Sequence, residues 1–303
     1  MQGEVILVID LGGTSAKFGF VIDDRPADYG KVFPTGRLRE GDPIEGLAAM
    51  VAEVVTESGL APARVVATVP GLIDLDFDHV LSVANIPGLN GRALASELGS
   101  RIGCPVLLER DSILLLRGEV AAGGARGARD VLGLFFGTGV GAAYLREGEP
   151  FRGGGWALEL GLMPFRGDGR ALPGLPPDCL EVYCSGRALD DIAARHHVMI
   201  GEVFVAGPAR PALAEELATF VRWQAFAVGC AVAMASPRTI LLGGGILDMA
   251  GFPRAALARL VEEHSPIART GRAMDLRWAE LGWTATLRGA PEVAAGQSAR
   301  AAP

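Results

Sequence analysis

The sequence predicts an α/β protein of two similar halves facing each other across a cleft, and three glycine-marked turns predict it. The first lies in Val5 to Phe20, VILVIDLGGTSAKFGF: an apolar strand ends at Asp10, turns at Gly12 and Gly13, passes Thr14 and returns as a second strand near Lys17. The second lies in Val131 to Leu145, VLGLFFGTGVGAAYL, with the same succession of strand, glycine turn with a threonine, and returning strand. The third, Gly243, Gly244 and Gly245, follows the strand TILL and precedes an apolar helix start. Each cluster alone is weak evidence; their order and context make the set strong.

Paired glycines let a backbone approach a polyphosphate closely, with the turn's N–H groups aimed at its oxygens. Asp10, at the strand's end, is then placed to hold a divalent metal through water. An ordinary tight hairpin turn is the alternative for the first cluster, and the second copy argues against it.

At 303 residues the chain can bury a large core, and two domains are the natural expectation. Half of the residues are hydrophobic and 42 are glycine, which suits an α/β enzyme with many tight turns and excludes a disordered chain. A net charge of −7 argues against a duplex nucleic-acid surface, which needs clustered Lys and Arg. Any anionic ligand must therefore be held locally, by backbone dipoles and metal. Glu4 and Asp10 stand where a signal peptide would be basic, so none is expected. No uninterrupted apolar run reaches bilayer length, so no membrane span is expected either. Cys104, Cys179, Cys184 and Cys230 are scattered without a disulfide framework, which points to a reducing cytoplasm.

After the first hairpin, Asp42 to Glu57 reads as an amphipathic helix, with Ile44, Leu47, Met50, Val51, Val54 and Val55 on one side. The strand VVATVP stops at Pro70 and Gly71, at the carboxyl edge of a sheet, where open α/β sheets place their ligands. A helix around Gly91 to Ile102 leads to the strand PVLLE, then to Arg110 and Asp111. The domain boundary falls near Ser112, giving domains 1–112 and 113–303, with a return of the last helix to the first domain left open. A long helix from Ile113 to Gly123 opens the second domain, and Arg152 to Gly186 forms a lid-like region. The segment Pro211 to Ala235 is apolar on nearly every side and is expected to be buried. The tail from Glu292 onward, ending in AAP, is expected to fray at its end.

Together these motifs resemble the ROK family of sugar kinases and repressors, a branch of the actin, hexokinase and Hsp70 superfamily, along nearly the whole chain. DLGGTSAK is similar to the family's first phosphate motif, VPGLIDLD with ANIPGLNG to its sugar-side loop, and LERDS to its catalytic acid segment. FFGTGVG resembles the second phosphate loop, GGGWALELG the sugar-binding turn, DCLEVYCSG the segment after the zinc loop, and ILLGGGIL the adenosine motif. The resemblance implies two RNase H-like, actin-like ATPase domains and ATP-dependent phosphorylation of a hexose hydroxyl. It also implies cytoplasmic localisation and a homodimer. Within the family, Arg110 with Asp111 and GGGILDMAGFPR at Gly243 to Arg254 resemble the allose kinase branch; most of the family's sugar kinases carry Asn-Asp at the former site.

Phosphoryl transfer asks the protein for positioning, charge neutralisation and a base near the attacking hydroxyl. The resemblance puts that base at Asp111, for which a helix N-cap is the alternative. It puts Mg²⁺, through water, on Asp10. The ATP phosphates fall to Gly12, Gly13 and Thr14 on one side and to Gly137, Thr138 and Gly139 on the other, and the adenosine to Gly243, Gly244 and Gly245. Lys17 occupies a position where the family often has a basic residue; pointing into solvent is an equal alternative. For the sugar, whose hydroxyls need paired donors and acceptors, the matching residues are Asn85, Glu159 and Glu181, with Gly71 letting the chain approach the ring. A turn role before Ile86 and Pro87 competes for Asn85. Arg110 offers a rigid fork of donors, which implies a different hydroxyl stereochemistry and a hexose other than glucose, allose first.

The family's zinc loop is missing its ligands. Leu162 stands where its histidine belongs and of its cysteines only Cys179 remains, so no structural zinc site is expected. Pro173, Pro176 and Pro177 are placed to restrict the loop instead. Trp156 is placed either to stack on a sugar face or to cover the lid's core, and Cys184 reads as a small buried thiol. The first strand begins at Glu4, which leaves no room for a DNA-reading module; a sugar-binding protein that has lost catalysis is the remaining alternative. In a two-lobed kinase, closure on the sugar is expected to tighten the affinity for ATP.

Overall fold

The computed structural model describes residues 4–74 and 76–300. Leu75, in the VPGLIDLD motif, and the final AAP, where fraying was expected, lie outside the described residues. The chain forms two compact units, one of residues 1–126, 152–157 and 283–303, the other of 127–151 and 158–282.

The first unit begins with β1 (Val5–Leu11), β2 (Ser15–Ile22) and β3 (Arg25–Pro34), a meander in which each strand runs antiparallel to its neighbour. Helix α1 (Pro43–Ser58) then crosses to β4 (Arg64–Val69), which pairs parallel to β1. The short strands β5 (Leu72–Ile73) and β6 (Val80–Ser82) and helix α2 (Leu94–Ile102) lead to β7 (Val106–Arg110), parallel to β4, and on to α3 (Asp111–Ala122). The sheet order is β3-β2-β1-β4-β7.

Alternation along β1 builds both faces of this sheet. Leu7 and Ile9 point into a core with Ile44, Leu47, Met50 and Leu98 of α1 and α2, while Ile6 and Val8 point into another with Leu114. Helix α1 is delimited by the rules that predicted it. Asp42 caps its start by accepting from the Ile44 and Glu45 backbone N–H groups, and Gly59 ends it in the left-handed region at φ 69°.

The second unit repeats the plan. Strands β8 (Val131–Phe136), β9 (Val140–Arg146) and β10 (Glu149–Pro150) form an antiparallel meander. Helices α4 (Glu181–Cys184), α5 (Gly186–Arg195), α6 (Val203–Ala206) and α7 (Pro211–Ala235) precede β11 (Thr239–Gly243), which is parallel to β8. After α8 (Arg254–His264), β12 (Asp275–Trp278) adds in parallel to β11, and the sheet order is β10-β9-β8-β11-β12. Position for position this is the order and direction of the first sheet, the RNase H-like arrangement expected for both halves. The last helix, α9 (Thr284–Arg300), belongs to the first unit, where Leu287, Ala290 and Val293 complete the core of Ile6 and Val8.

Several expectations need correction. Helix α3 packs in the first unit, so the division falls after Arg126 and not near Ser112, because α3 and α9 lie against each other on one face of the first sheet. After Gly243 the chain makes a series of turns, and the next helix starts only at Arg254. Helix α7 is long and apolar enough to cross a bilayer by length and composition, which the reading of apolar runs missed because Arg222 and Gln224 interrupt it. Its Leu213, Leu217, Phe220, Val221, Ala225 and Val228 are buried in the second unit, the role expected for it.

Candidate active site

In the first unit the site starts where β1 ends. Asp10 lies opposite Lys17 on β2 and Thr68 on β4. Thr68 donates its hydroxyl to Asp10 Oδ1 at 3.0 Å and accepts from the Leu11 N–H at 3.2 Å, so it fixes both the carboxylate and the strand end. Lys17 Nζ stands 3.6 Å from Asp10 Oδ2, so of its two expected roles solvent exposure alone is not what the side chain does.

The turn at Gly12 to Thr14 is braced from behind by the segment after β3. The buried Thr35 donates its hydroxyl to the Gly12 carbonyl at 2.8 Å and its N–H to the Thr14 carbonyl at 3.0 Å; Arg39 Nη2 donates to the Gly13 carbonyl at 3.4 Å. A trans peptide points its C=O and N–H opposite ways, so tying back the Gly12 and Gly13 carbonyls turns the Gly13 and Thr14 N–H groups outward.

The second unit uses the same device with other residues. At the start of α5, Gly186 N–H donates to the Gly137 carbonyl at 2.7 Å and Arg187 N–H to the Thr138 carbonyl at 3.4 Å. The N–H groups of Thr138 and Gly139 are turned the other way. Glu181 closes this turn from one side: its Oε2 accepts from Val140 N–H at 3.0 Å, and a side chain at Gly139 or Gly161 would meet the same oxygen at 2.6 or 2.7 Å. Glu181, expected at the sugar, is thus packed onto the second glycine turn. Glu159 precedes Gly161 by two residues in the same stretch. The third glycine cluster joins them. Gly244, at φ 100°, lies so close to the Phe136 backbone that a side chain would meet its carbonyl oxygen at 2.4 Å, and Ile246 N–H donates to that oxygen at 3.1 Å. Around Gly245 there is open space.

The expected sugar-side residues of the first unit also gather. A side chain on Gly71 would meet the Ser82 carbonyl at 2.1 Å, so only glycine lets the end of β4 lie against the start of the loop that carries Asn85. That loop is closed by Asn90, whose Oδ1 accepts from Val83 N–H at 2.7 Å, and Arg39 Nε donates to the Asn85 carbonyl at 2.9 Å. Asp111 opens α3, its Oδ1 accepting from Ser112 N–H at 2.6 Å. The carboxylate therefore does part of the work of a helix start, the alternative foreseen for it.

Arg110 is buried, and its Nη1 donates to the Ala157 carbonyl at 2.7 Å. Beside it, the fully buried Glu109 receives both terminal nitrogens of Arg152, at 2.8 and 2.5 Å, and the Arg152 guanidinium lies over the Phe77 ring at 4.7 Å. Together they strap residues 152–157 to the end of β7. Trp156, within the strap, is 53% exposed and covers no core. Thr35, Arg39, Thr68, Glu109 and Arg152 were not foreseen as site residues. Thr68 was in reach, as a polar residue inside an apolar strand that ends at a sheet edge; nothing in the sequence pairs Glu109 with Arg152.

The stretch that resembles a zinc loop is held by protein groups. Tyr183 donates its hydroxyl to Asp168 and, at 3.0 Å, to Asp178; Arg170 lies over the Tyr183 ring, and Arg166 lies against both that ring and Trp223. Burial and the two acidic acceptors push the Tyr183 phenol well above its ordinary range. Cys184 is fully buried, and burial likewise raises its thiol. Among the described residues no group of three or more His, Cys, Asp or Glu is placed to hold a metal.

Two glycine turns with outward N–H groups, each at the end of the first strand of an RNase H-like sheet, define an α/β protein equipped for anionic ligands. The chain belongs to the ROK family, which it matches over residues 6–297. It is 25% identical over 292 residues to an N-acetyl-D-glucosamine kinase of Salmonella paratyphi A, an alignment covering 90% of this chain and 94% of the relative. With the enzyme of the same name from Vibrio vulnificus it shares 28% identity over 254 residues, 78% of this chain and 82% of the other. Among solved structures, a ROK hexokinase from Thermus thermophilus superposes with a TM-score of 0.78 at 27% identity, over 98% of this chain and 99% of that one. A ROK family glucokinase from Streptomyces griseus, solved with glucose and AMPPNP, shares the fold with a TM-score of 0.81 at 23% identity, covering 95% and 98% of the two chains.

Proposed function

We propose that this chain is an ATP-dependent hexose kinase in which Asp111 is the general base. The observation that carries the reading is the matched pair of glycine turns, each with its carbonyls tied back and its N–H groups turned out, in a chain of the ROK family. Gly12, Gly13 and Thr14 on one unit and Gly137, Thr138 and Gly139 on the other hold the phosphates, and Gly243, Gly244 and Gly245 take the adenosine. Asp10, a single carboxylate braced by Thr68, fits a Mg²⁺ ion held through water and shared with the ATP phosphates. When bound, that ion neutralises charge on the phosphate oxygens. Asp111 accepts the proton of the attacking hydroxyl, and its own bond from Ser112 N–H keeps the carboxylate pointing one way.

Asn85, Glu159 and Glu181, with Gly71, carry recognition of the sugar. One nitrogen of Arg110 is committed to Ala157, which leaves less of its fork for a hydroxyl than the sequence suggested. Allose remains the hexose favoured by the sequence, and the names of the relatives put N-acetylglucosamine beside it. The test is a coupled ADP assay with Mg-ATP and a panel of allose, glucose, mannose, N-acetylglucosamine and N-acetylmannosamine. At least one sugar should drive ADP release, and Asp111→Asn should lower that turnover by about 10²-fold or more while sugar binding by calorimetry persists. Equal turnover of glucose and allose would remove the preference for allose; no response to any hexose, or full activity in Asp111→Asn, would overturn the kinase reading.

A further inference from the structure

We infer that Arg39 is a positioning residue that mechanically couples the phosphate turn to the sugar-side loop, so that nucleotide bound at the one orders the other. The inference rests on the kinase reading above for the identity of the two ligands, and on the first unit's geometry for the coupling.

Arg39 follows the short 3₁₀ turn Thr35–Leu38. Its guanidinium donates from Nη2 to the Gly13 carbonyl at 3.4 Å and from Nε to the Asn85 carbonyl at 2.9 Å. One planar group thus joins two loops that are far apart in sequence and are the two places where this unit is read to meet its substrates. A planar fork holds two carbonyls at a fixed spacing, which the point charge of lysine on its flexible stem does not. The other end of the linkage is anchored. Thr35 is buried and holds the Gly12 and Thr14 carbonyls, so the segment that carries Arg39 is fixed to the turn at three consecutive carbonyls. On the far side, the loop around Asn85 is a small closed unit: Val83 N–H bonds to Asn90 Oδ1, Leu89 N–H to the Ile86 carbonyl, and Asn90 N–H to the Pro87 carbonyl.

Because Arg39 grips carbonyls, it lies behind the turn and touches no phosphate. Its effect passes through the peptide planes. A phosphate that draws the Thr14 N–H outward turns the Gly13 carbonyl toward Arg39 and shortens the weaker of its two bonds, and the same guanidinium then restrains Asn85. Sugar at Asn85 works in reverse, since coupling between two binding sites is reciprocal. Arg39 itself is exposed, and its removal leaves both apolar cores intact.

The test is amide hydrogen exchange on the full chain with and without Mg-AMPPNP and no sugar, for wild type, Arg39→Ala and Arg39→Gln. The reporters are the amides of Gly13 and Thr14 at the turn and of Val83, Leu89 and Asn90 in the loop. In wild type the nucleotide should slow exchange at both places. In both variants protection of the turn should remain while protection of the loop is lost, and the tightening of nucleotide affinity by sugar should fall by about fivefold or more. Loop protection that is equal in wild type and variants, or absent from all three, overturns the role of Arg39 and leaves the kinase reading standing. No protection of Gly13 and Thr14 in wild type overturns the kinase reading and this inference with it.

Discussion

Glu109 shows what a single residue can hide from a sequence. In the segment LERDS it stands beside the expected base, and nothing marks it as a fully buried carboxylate whose partner is Arg152. The bidentate geometry, the Phe77 ring beneath the guanidinium and the Arg110 N–H on Glu109 Oε1 at 2.9 Å satisfy a charge that would otherwise be prohibitive so deep in the protein. Breaking the pair from one side leaves that charge uncompensated. Arg152→Ala should cost about 3 kcal/mol or more in urea denaturation, whereas Glu109→Gln combined with Arg152→Met should recover much of the loss. Asp10, Asp111 and the glycines of the turns were legible because short-range chemistry demands those residue types in that order. Glu109 with Arg152, and Arg39 with Asn85, were not, because a pair joined only by the fold leaves no local spacing to read.

Among the elements, the strands and helices with strong periodicity were read nearly to their ends, and α1 shows why: Asp42, Pro43 and Gly59 punctuate it in the sequence itself. The edge strand β3 was not read. Its residues alternate between exposed and half-buried, so the sequence offers little apolar contrast. The placement of α3 was missed for another reason, since its partner α9 lies at the opposite end of the chain. The two helices meet at glycines, and a side chain at Gly118 would come within 1.9 Å of the Ala285 carbonyl oxygen. In an exposed helix Gly→Ala would stabilise by about 1 kcal/mol. Here the obstacle is backbone, which cannot swing aside as a side chain can. Gly118→Ala should therefore lower stability by about 2 kcal/mol or more, seen as a lower thermal midpoint, with the sign reversed from the propensity rule.

Over the whole molecule, the repeated sheet order was legible from two strand–turn–strand units with the same internal order, and it accounts for the balanced pair of cores. Acid should loosen the second unit in a defined window. The Arg277 hydrogen bond holds Asp275 below its ordinary value of 3.8, and Glu216, although burial acts against it, is held below 4.5 by Arg195 and His196. Carboxyls with depressed folded-state values stabilise above their unfolded values and lose that contribution as pH falls through the folded ones. Stability should thus be level on this account near neutrality and fall as pH drops below about 4, and the fall should be shallower in Asp275→Asn with Glu216→Gln. Circular dichroism of denaturant midpoints against pH checks this.

The membership of residues 152–157 and of the last helix in the first unit has a consequence for anyone dissecting the protein. The polypeptide passes between the units after residues 126, 151, 157 and 282, so neither unit is one uninterrupted piece of chain. A fragment stopped at Arg126 would present bare to water the sheet face that Leu287, Ala290 and Val293 cover, and leave Glu109 without its counter-charge. Dividing the molecule for separate expression calls for rejoining the ends by permutation, because no single cut releases an intact half.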